Sequence, residues 1–150
     1  MLSPAPAQPA WSAEFSTRPE VSGTFGAVAS THWLASAVGM AVLEKGGNAF
    51  DAACAAGFTL QVVEPHLNGP GGDCPIILHS VAADAQEVIC GQGVAPAAAT
   101  IGHFESIGLD LVPGTGFLPA VVPGAFDAWL SMLERHGSWR LADVLAYAIG

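Results

Sequence analysis

The sequence predicts an α+β fold from three observations. Residues 26–30 (GAVAS) are a short apolar run of small side chains, which is typical of a buried strand. Two helical segments follow at 32–44 and 49–60, where apolar residues recur at helical spacing or occupy nearly every side. Residues 75–82 and 87–90 then read as two strands joined by a turn, a β-hairpin. A strand, two helices and a hairpin in this order are an α+β layout.

Local signals set the limits of the two helices. Ser30 or Thr31 can cap the first helix, and Lys45-Gly46-Gly47 suits its end, where glycine adopts a left-handed turn at low cost. Asn48 is the expected cap of the second helix, with Asp51 near its positive end. Most residues from 49 to 57 are small, so we expect this helix to be buried on nearly every side. Glu64-Pro65 should end it.

The rest of the chain is less regular. Residues 97–107 have room for a short helix, and residues 108–122, rich in Gly and Pro, predict a long irregular excursion. A helix is expected at 125–135 with Pro123 at an early helical position. Residues 139–150 form an amphipathic stretch. Its apolar face comprises Leu141, Val144, Leu145, Ala148 and Ile149.

The composition indicates a piece of a larger protein. Charged residues make up 11% of the 150 residues and hydrophobic residues 51%, whereas about 25% charged is usual. A domain so poor in charge leaves apolar surface exposed unless something covers it. Membrane insertion is not expected, because no run of roughly 20 apolar residues is free of helix breakers. We expect residues 1–17 to be a flexible Pro/Ala-rich tail and residues 18–150 to be the N-terminal portion of a larger domain.

Charge and cysteine usage exclude several functions. The net charge is −9 and the four basic residues are scattered, so no surface for nucleic acid or anionic lipid is expected. Three cysteines argue against a disulfide framework, and the N-terminus lacks the pattern of a secretory signal, so the expected location is cytoplasmic. No spacing of His or Cys suits a metal, and no cofactor is expected. Cys54, Cys74 and Cys90 are interpreted as packing residues in preference to redox centres.

The glycine loop at residues 68–73 does not match a nucleotide-binding motif. It lacks the Gly-Lys-Ser/Thr ending of a P-loop, and a strand follows it where GxGxxG would enter a helix. Two interpretations stay open. In the simpler one the loop is a tight turn where backbone passes close to backbone; in the other it packs beside a substrate pocket.

An ordered set of short motifs gives the chain a family resemblance, from about Phe25 to its last residue. The motifs are Val28-Ala29-Ser30 with His32 and Leu34-Ala35-Ser36; Lys45-Gly46-Gly47-Asn48-Ala49 with Asp51-Ala52-Ala53; Val63-Glu64-Pro65-His66; Gly71-Gly72; Ala95-Pro96; and Val122-Pro123-Gly124. Together they resemble the N-terminal part of the gamma-glutamyltranspeptidase family of Ntn hydrolases. The resemblance implies part of an αββα four-layer sandwich, incomplete in this chain. It also implies a precursor that cuts itself into a large and a small subunit, with an N-terminal threonine nucleophile outside this chain.

The resemblance singles out Gln92 as the candidate substrate-binding residue. Transpeptidases of the family carry an Asp-x-Arg-Glu-x-Ala-Pro-like run, whose arginine binds the α-carboxylate of the γ-glutamyl group. Ala95-Pro96 fixes the register, so Gln92 stands at the arginine position and Gly93 at the glutamate position. Losing a charge-assisted contact at a desolvated site costs about 1.5–3 kcal/mol. A small amide other than a γ-glutamyl one, such as oxamate or an acylase substrate, is therefore the expected substrate.

Other interpretations stay open. Gln92 could be a loop residue that faces water. The protein could be a true γ-glutamyl transferase or hydrolase, or a truncated copy without activity. The expected partners are the missing C-terminal part or small subunit and a small amide substrate, with a second copy of the chain as a further candidate to cover exposed apolar surface.

Overall fold

A computed structural model describes residues 20–150, so the predicted tail at 1–17 lies outside the described residues. Within this range the chain forms five α-helices and two strands, which confirms the α+β prediction. In chain order they are α1 (Trp33–Glu44), α2 (Ala49–Val63), β1 (Cys74–Ser80), β2 (Ala85–Gly91), α3 (Ile101–Ser106), α4 (Ala125–His136) and α5 (Leu141–Ile149).

Helix α2 is the centre of the helical layer. It packs against α1, α4 and α5, and α4 in turn packs on both strands of the antiparallel hairpin. The hairpin turns alternate side chains toward this layer, so Ile76 and Leu78 are buried while Ile77 is exposed. The hydrophobic core includes Val42, Cys54, Phe58, Met132 and Val144.

The caps of α2 agree with the prediction. Asn48 Oδ1 accepts hydrogen bonds from the amides of Phe50 (2.9 Å) and Asp51 (3.0 Å), and Asp51 Oδ2 accepts one from the Asn48 amide (2.8 Å). These reciprocal bonds form a capping box, which satisfies amides that a helix start leaves free. The helix runs to Val63 and ends at Glu64, immediately before Pro65.

The predicted strand at 26–30 is wrong. These residues are extended but belong to no strand, because none of the strands within residues 20–150 lies beside them to supply ladder hydrogen bonds. Their side chains still alternate between half-buried and exposed. Val28 packs onto α1 at Gly39, where a methyl group would lie only 2.7 Å from Val28 Cγ1.

Several predicted boundaries shift by a few residues. The N-cap of α1 is His32 rather than Ser30 or Thr31, because its Nδ1 accepts a hydrogen bond from the Leu34 amide (3.2 Å). Pro123 lies before the N-cap of α4, Gly124, and so outside the helix. The hairpin turn occupies residues 81–84 rather than 83–86, with Asp84 in the left-handed region at φ 46°.

The last helix is shorter than predicted, and its apolar face is incomplete. It begins at Leu141 because the backbone of Arg140 is extended (φ −75°, ψ 149°), and the backbone amides of Ser138 and Trp139 before it donate to Asp51. Val144 is fully buried, whereas Ile149 is 80% exposed and so does not belong to the buried face.

Candidate functional site

Gln92 lies immediately after the end of β2 and its side chain is exposed. The Cys90 thiol donates a hydrogen bond to Gln92 Oε1, with 3.0 Å between sulfur and oxygen. The bond is possible because Cys90 lies on the outer face of the hairpin, opposite Pro75, and so on the side away from α4. Gln92 thus directly follows β2, and Cys90 on β2 is the one residue among 20–150 that forms a hydrogen bond with its side chain.

The residue after Gln92 fixes the path of the backbone. Gly93 has φ +77°, a left-handed conformation that residues with side chains rarely adopt. A methyl group at this position would overlap the carbonyl oxygen of Val122. Beside it, the Val122 amide donates to the Val94 carbonyl (2.9 Å), which joins the two segments. The loop that carries Gln92 is thus held directly against the residues that lead into α4.

The glycine loop closes the same region from another side. The Gly72 carbonyl accepts hydrogen bonds from the amides of Gly124 (3.3 Å) and Ala125 (3.1 Å) at the start of α4. A methyl group on Gly124 would lie 2.5 Å from the Gly91 carbonyl oxygen. This close approach of backbone to backbone agrees with the simpler interpretation of the glycine loop. We call the place where Gly72, residues 91–94 and residues 122–125 meet the glycine junction.

The basic side chains described by the structure are all engaged away from the glycine junction. Lys45 Nζ donates to the Tyr147 hydroxyl (2.7 Å), Arg135 contacts Glu87, and Arg140 binds Asp143 with two hydrogen bonds. Within residues 20–150, a carboxylate bound beside Gln92 would therefore meet no cation. Lys45 and Arg140 border an open groove of about 700 Å³ with Trp139 and Tyr147, but Gln92 does not border it.

The cysteines and histidines do not assemble a metal centre in the described residues. No group of three or more His, Cys, Asp or Glu side chains there is placed to hold an ion. Cys54 is fully buried; its burial and the nearby charges of Asp51 and Cys74 raise the pKa of its thiol to about 12. His136 Nε2 is buried 3.5 Å from Glu87 Oε1 without a hydrogen bond.

No helix within residues 20–150 has the length and apolar character needed to cross a lipid bilayer.

Sequence reasoning missed two supports of the candidate site. The Cys90–Gln92 bond joins side chains two positions apart, but Gln92 already lies beyond β2, so the alternation of side chains along a strand does not predict it. The close approach of Gly93 to Val122 brings together residues 29 positions apart. The only sequence signal for an unusual backbone there is the Gly-Val-Ala-Pro run that begins at Gly93. A third feature is the fully buried Asp51, which the sequence places only near the positive end of α2, although it also binds Ser138 and Trp139.

The chain matches a known family over most of its length. The family model described as gamma-glutamyltranspeptidase matches residues 35–150. A glutathione hydrolase-like YwrD proenzyme of Bacillus subtilis is 40% identical over 83% of this chain. An acylase ACY 1 proenzyme of a Pseudomonas species is 37% identical over 86%, and an oxamate amidohydrolase proenzyme of Klebsiella pneumoniae 34% over 85%. The chain spans only 24–25% of the length of these relatives.

Solved structures agree with the sequence matches. Two structures of LmbA2991 are 64% and 61% identical to this chain, with TM-scores of 0.84 and 0.83; the match covers 91% of this chain and 23% of theirs. The Helicobacter pylori gamma-glutamyltranspeptidase is 34% identical with a TM-score of 0.78, over 87% of this chain and 38% of its own.

Proposed function

Because this chain belongs to the gamma-glutamyltranspeptidase family, whose members are hydrolases and transferases, we propose that it is the N-terminal part of the large subunit of a self-cleaving amidohydrolase or acyltransferase. In this proposal it supplies one helical layer and part of a sheet of the αββα sandwich. The proenzyme names of its relatives and the small share of their length that it spans both support this role.

The reaction proposed is acyl transfer through an N-terminal threonine that lies outside this chain. Its hydroxyl attacks the amide carbon while its own amino group takes the proton, and an acyl-enzyme forms as the amine leaves. Water or a second amine then takes the acyl group. The 150-residue chain alone is therefore expected to show no amide hydrolysis, and turnover by this chain in pure form would contradict the proposal.

The observation that carries the substrate proposal is Gln92 at the glycine junction. We assign it to substrate binding, at the position where γ-glutamyl enzymes of the family use arginine. Arginine grips a carboxylate with a charged, planar fork, whereas glutamine offers one neutral amide. The described basic side chains are all engaged elsewhere and would not replace the missing charge. We therefore propose a small amide other than a γ-glutamyl one, a class that the names of the acylase and oxamate amidohydrolase relatives also support.

The test uses the precursor that continues beyond residue 150. It is expressed, allowed to cleave itself, and assayed with γ-glutamyl p-nitroanilide, with oxamate and with simple acyl p-nitroanilides. We expect two subunits and a kcat/KM at least tenfold lower for the γ-glutamyl anilide than for the best non-glutamyl amide, as loss of about 1.5 kcal/mol of binding implies. Efficient release of nitroaniline from the γ-glutamyl substrate would favour a glutathione-type enzyme, the class named for the YwrD relative. A reading frame that stops at Gly150 would favour a non-catalytic copy.

A cytoplasmic location is part of the same proposal. All three cysteines are free, as is usual in a reducing compartment. Fractionation of cells that express the tagged precursor tests it, with recovery in the cytosolic fraction as the expected result.

A further inference from the structure

We propose that Cys90 and Gly93 are positioning residues that hold Gln92 as a neutral hydrogen-bond donor, and that the substrate places an uncharged acceptor oxygen there. The inference rests on the proposed function, which puts Gln92 in the substrate pocket. It names the chemistry of the group that Gln92 binds.

The Cys90 thiol sets the direction in which the Gln92 amide faces. A glutamine side chain has one acceptor oxygen and an NH₂ group with two donor hydrogens. Cys90 donates to Oε1, and this is the one hydrogen bond of the Gln92 side chain within residues 20–150. The bond turns Oε1 toward Cys90, so Nε2 is the end of the amide that has no hydrogen bond within residues 20–150 and faces a ligand. An exposed glutamine without such a partner could present either end.

Gly93 sets the position of the backbone from which Gln92 projects. The Val122 carbonyl closes the space where a side chain at position 93 would stand. That carbonyl cannot easily move aside, because the Val122 amide is bonded to Val94 and the amides of Gly124 and Ala125 are bonded to Gly72. Any side chain at position 93 would therefore displace the loop, and Gln92 with it.

These constraints define the substrate group. A neutral donor with no cation beside it pairs well with a carbonyl oxygen, whereas a carboxylate there would lose hydration without charge compensation. The same constraints link the two positions at which this chain departs from the Arg-Glu pair of the transpeptidases. A glutamate in place of Gly93 would disturb the loop, so the effect of an arginine on substrate preference is best tested by Gln92→Arg with Gly93 unchanged.

The experiment compares two substrates that differ at one group, which is charged in the first and neutral in the second. The first is γ-glutamyl p-nitroanilide, and the second is the same anilide with its α-carboxylate converted to a carboxamide. KM and kcat are measured for the self-cleaved precursor; dissociation constants from calorimetry replace KM for any probe that is not turned over. The unmodified enzyme is expected to favour the carboxamide by about tenfold or more, and Gln92→Arg to shift the ratio toward the carboxylate by a similar factor.

Two sets of variants test the positioning residues. Cys90→Ala should raise KM for the carboxamide about threefold with kcat unchanged, and Cys90→Ser, which keeps a donor, should restore it. Gly93→Ala should raise KM about tenfold, because the loop must move. Its matched control is Gly108→Ala, at φ +78° but with open space around the added methyl group, which should leave KM unchanged.

The outcomes separate this inference from the proposed function. We assign Gln92 to substrate binding and not to self-cleavage, so a precursor that fails to cleave itself overturns the proposed function and this inference together. A precursor that cleaves itself but prefers the carboxylate overturns the assignment of the substrate group and the non-glutamyl substrate class, while the self-cleaving amidohydrolase or acyltransferase stands. Equal KM values for Cys90→Ala, Cys90→Ser and the unmodified enzyme would overturn the role of Cys90. A Gly93→Ala variant that matches Gly108→Ala in KM and in melting temperature would overturn the role of Gly93.

Discussion

Asp51 joins the start of α2 to the turn between α4 and α5. Its Oδ1 accepts from the amides of Ser138 (2.9 Å) and Trp139 (3.0 Å), and its Oδ2 accepts from the Ser138 hydroxyl (2.6 Å) and the Asn48 amide (2.8 Å). Burial alone would raise the pKa of this carboxyl, but these bonds favour the ionised form and hold its pKa below the ordinary value. One ionised side chain thus stabilises two distant parts of the chain.

Replacing Asp51 by asparagine should weaken the fold strongly. The new NH₂ group would face donors where an acceptor oxygen now stands, and hydrogen bonds to charged groups contribute about 1.5–3 kcal/mol each. We expect Asp51→Asn to lower the free energy of unfolding by about 3 kcal/mol, measured from urea unfolding followed by tryptophan fluorescence. Asp110→Asn removes an exposed carboxylate and serves as the control. Equal unfolding midpoints for the two variants would contradict this account.

The same contribution should depend on pH with a definite sign. Because the pKa of Asp51 is lower in the folded state than its ordinary 3.8, the folded state favours the ionised form. The stabilisation is therefore complete above about pH 4 and is lost as pH falls through the folded-state pKa. The gap in unfolding free energy between the unmodified chain and Asp51→Asn should be constant from pH 6 to 8 and narrow below pH 4.

Asp51 also marks the limit of what the sequence could predict. The cap at Asn48 and the position of Asp51 near the positive end of the helix follow from local spacing, so local chemistry was enough to predict both. The bonds to Ser138 and Trp139 span 87 and 88 positions. A charged residue in an otherwise apolar helix implies a buried partner, but sequence spacing alone does not say which one.

Helix α2 shows how small residues allow close packing between elements. Gly57 faces the indole of Trp129 on α4, and a methyl group there would lie 2.6 Å from Trp129 Cζ2. Cys54 lies one turn earlier, and its thiol contacts the Trp129 carbonyl (3.4 Å). The contact between α2 and α4 therefore depends on the absence of a side chain at position 57.

Gly57→Ala should destabilise the chain although alanine favours helices. Overpacking costs about 1–3 kcal/mol, which exceeds the helix-propensity gain of about 1 kcal/mol. In a Trp129→Leu background the added methyl group has room, so the same substitution should be neutral or stabilising. Urea unfolding of the four members of this double-mutant cycle measures the coupling. Gly102→Ala on α3, where a methyl group meets open space, is the control and should not destabilise. Additive effects at 57 and 129 would rule out the collision.

The two kinds of element differed in how well the sequence predicted them. Helices α1 and α2 were predicted to within a few residues because their caps and stops lie within the same local stretch. The segment at 26–30 was predicted as a strand from its composition, but a strand forms only beside a partner, and the described residues supply none there. The glycine junction likewise depends on residues far apart in the chain, such as Val94 and Val122, so the sequence did not predict it; Gln92 as a substrate-binding residue stays a prediction.

The face of the hairpin that points away from α4 exposes apolar side chains to solvent. Ile77 and Val88 pair across the two strands and are 80% and 70% exposed. In an αββα sandwich, the face of a sheet that turns away from the helices packs on the second sheet. This chain spans 23% of the LmbA2991 chains that it resembles, and under the proposed function the rest of the precursor would cover this face.

Polar substitutions on this face should reduce self-association of the 150-residue chain but destabilise the longer precursor. With Ile77→Thr and Val88→Thr, the chain alone should sediment with less self-association, because two exposed apolar side chains are removed. Under the proposed function the same side chains would be buried against the second sheet, so the precursor should lose about 1–2 kcal/mol of stability per residue and cleave itself more slowly. Ile101→Thr, at an equally exposed residue (80%) on α3, is the control and should change neither quantity much. A precursor that tolerates the double substitution as well as this control would show that the remainder of the protein does not pack here.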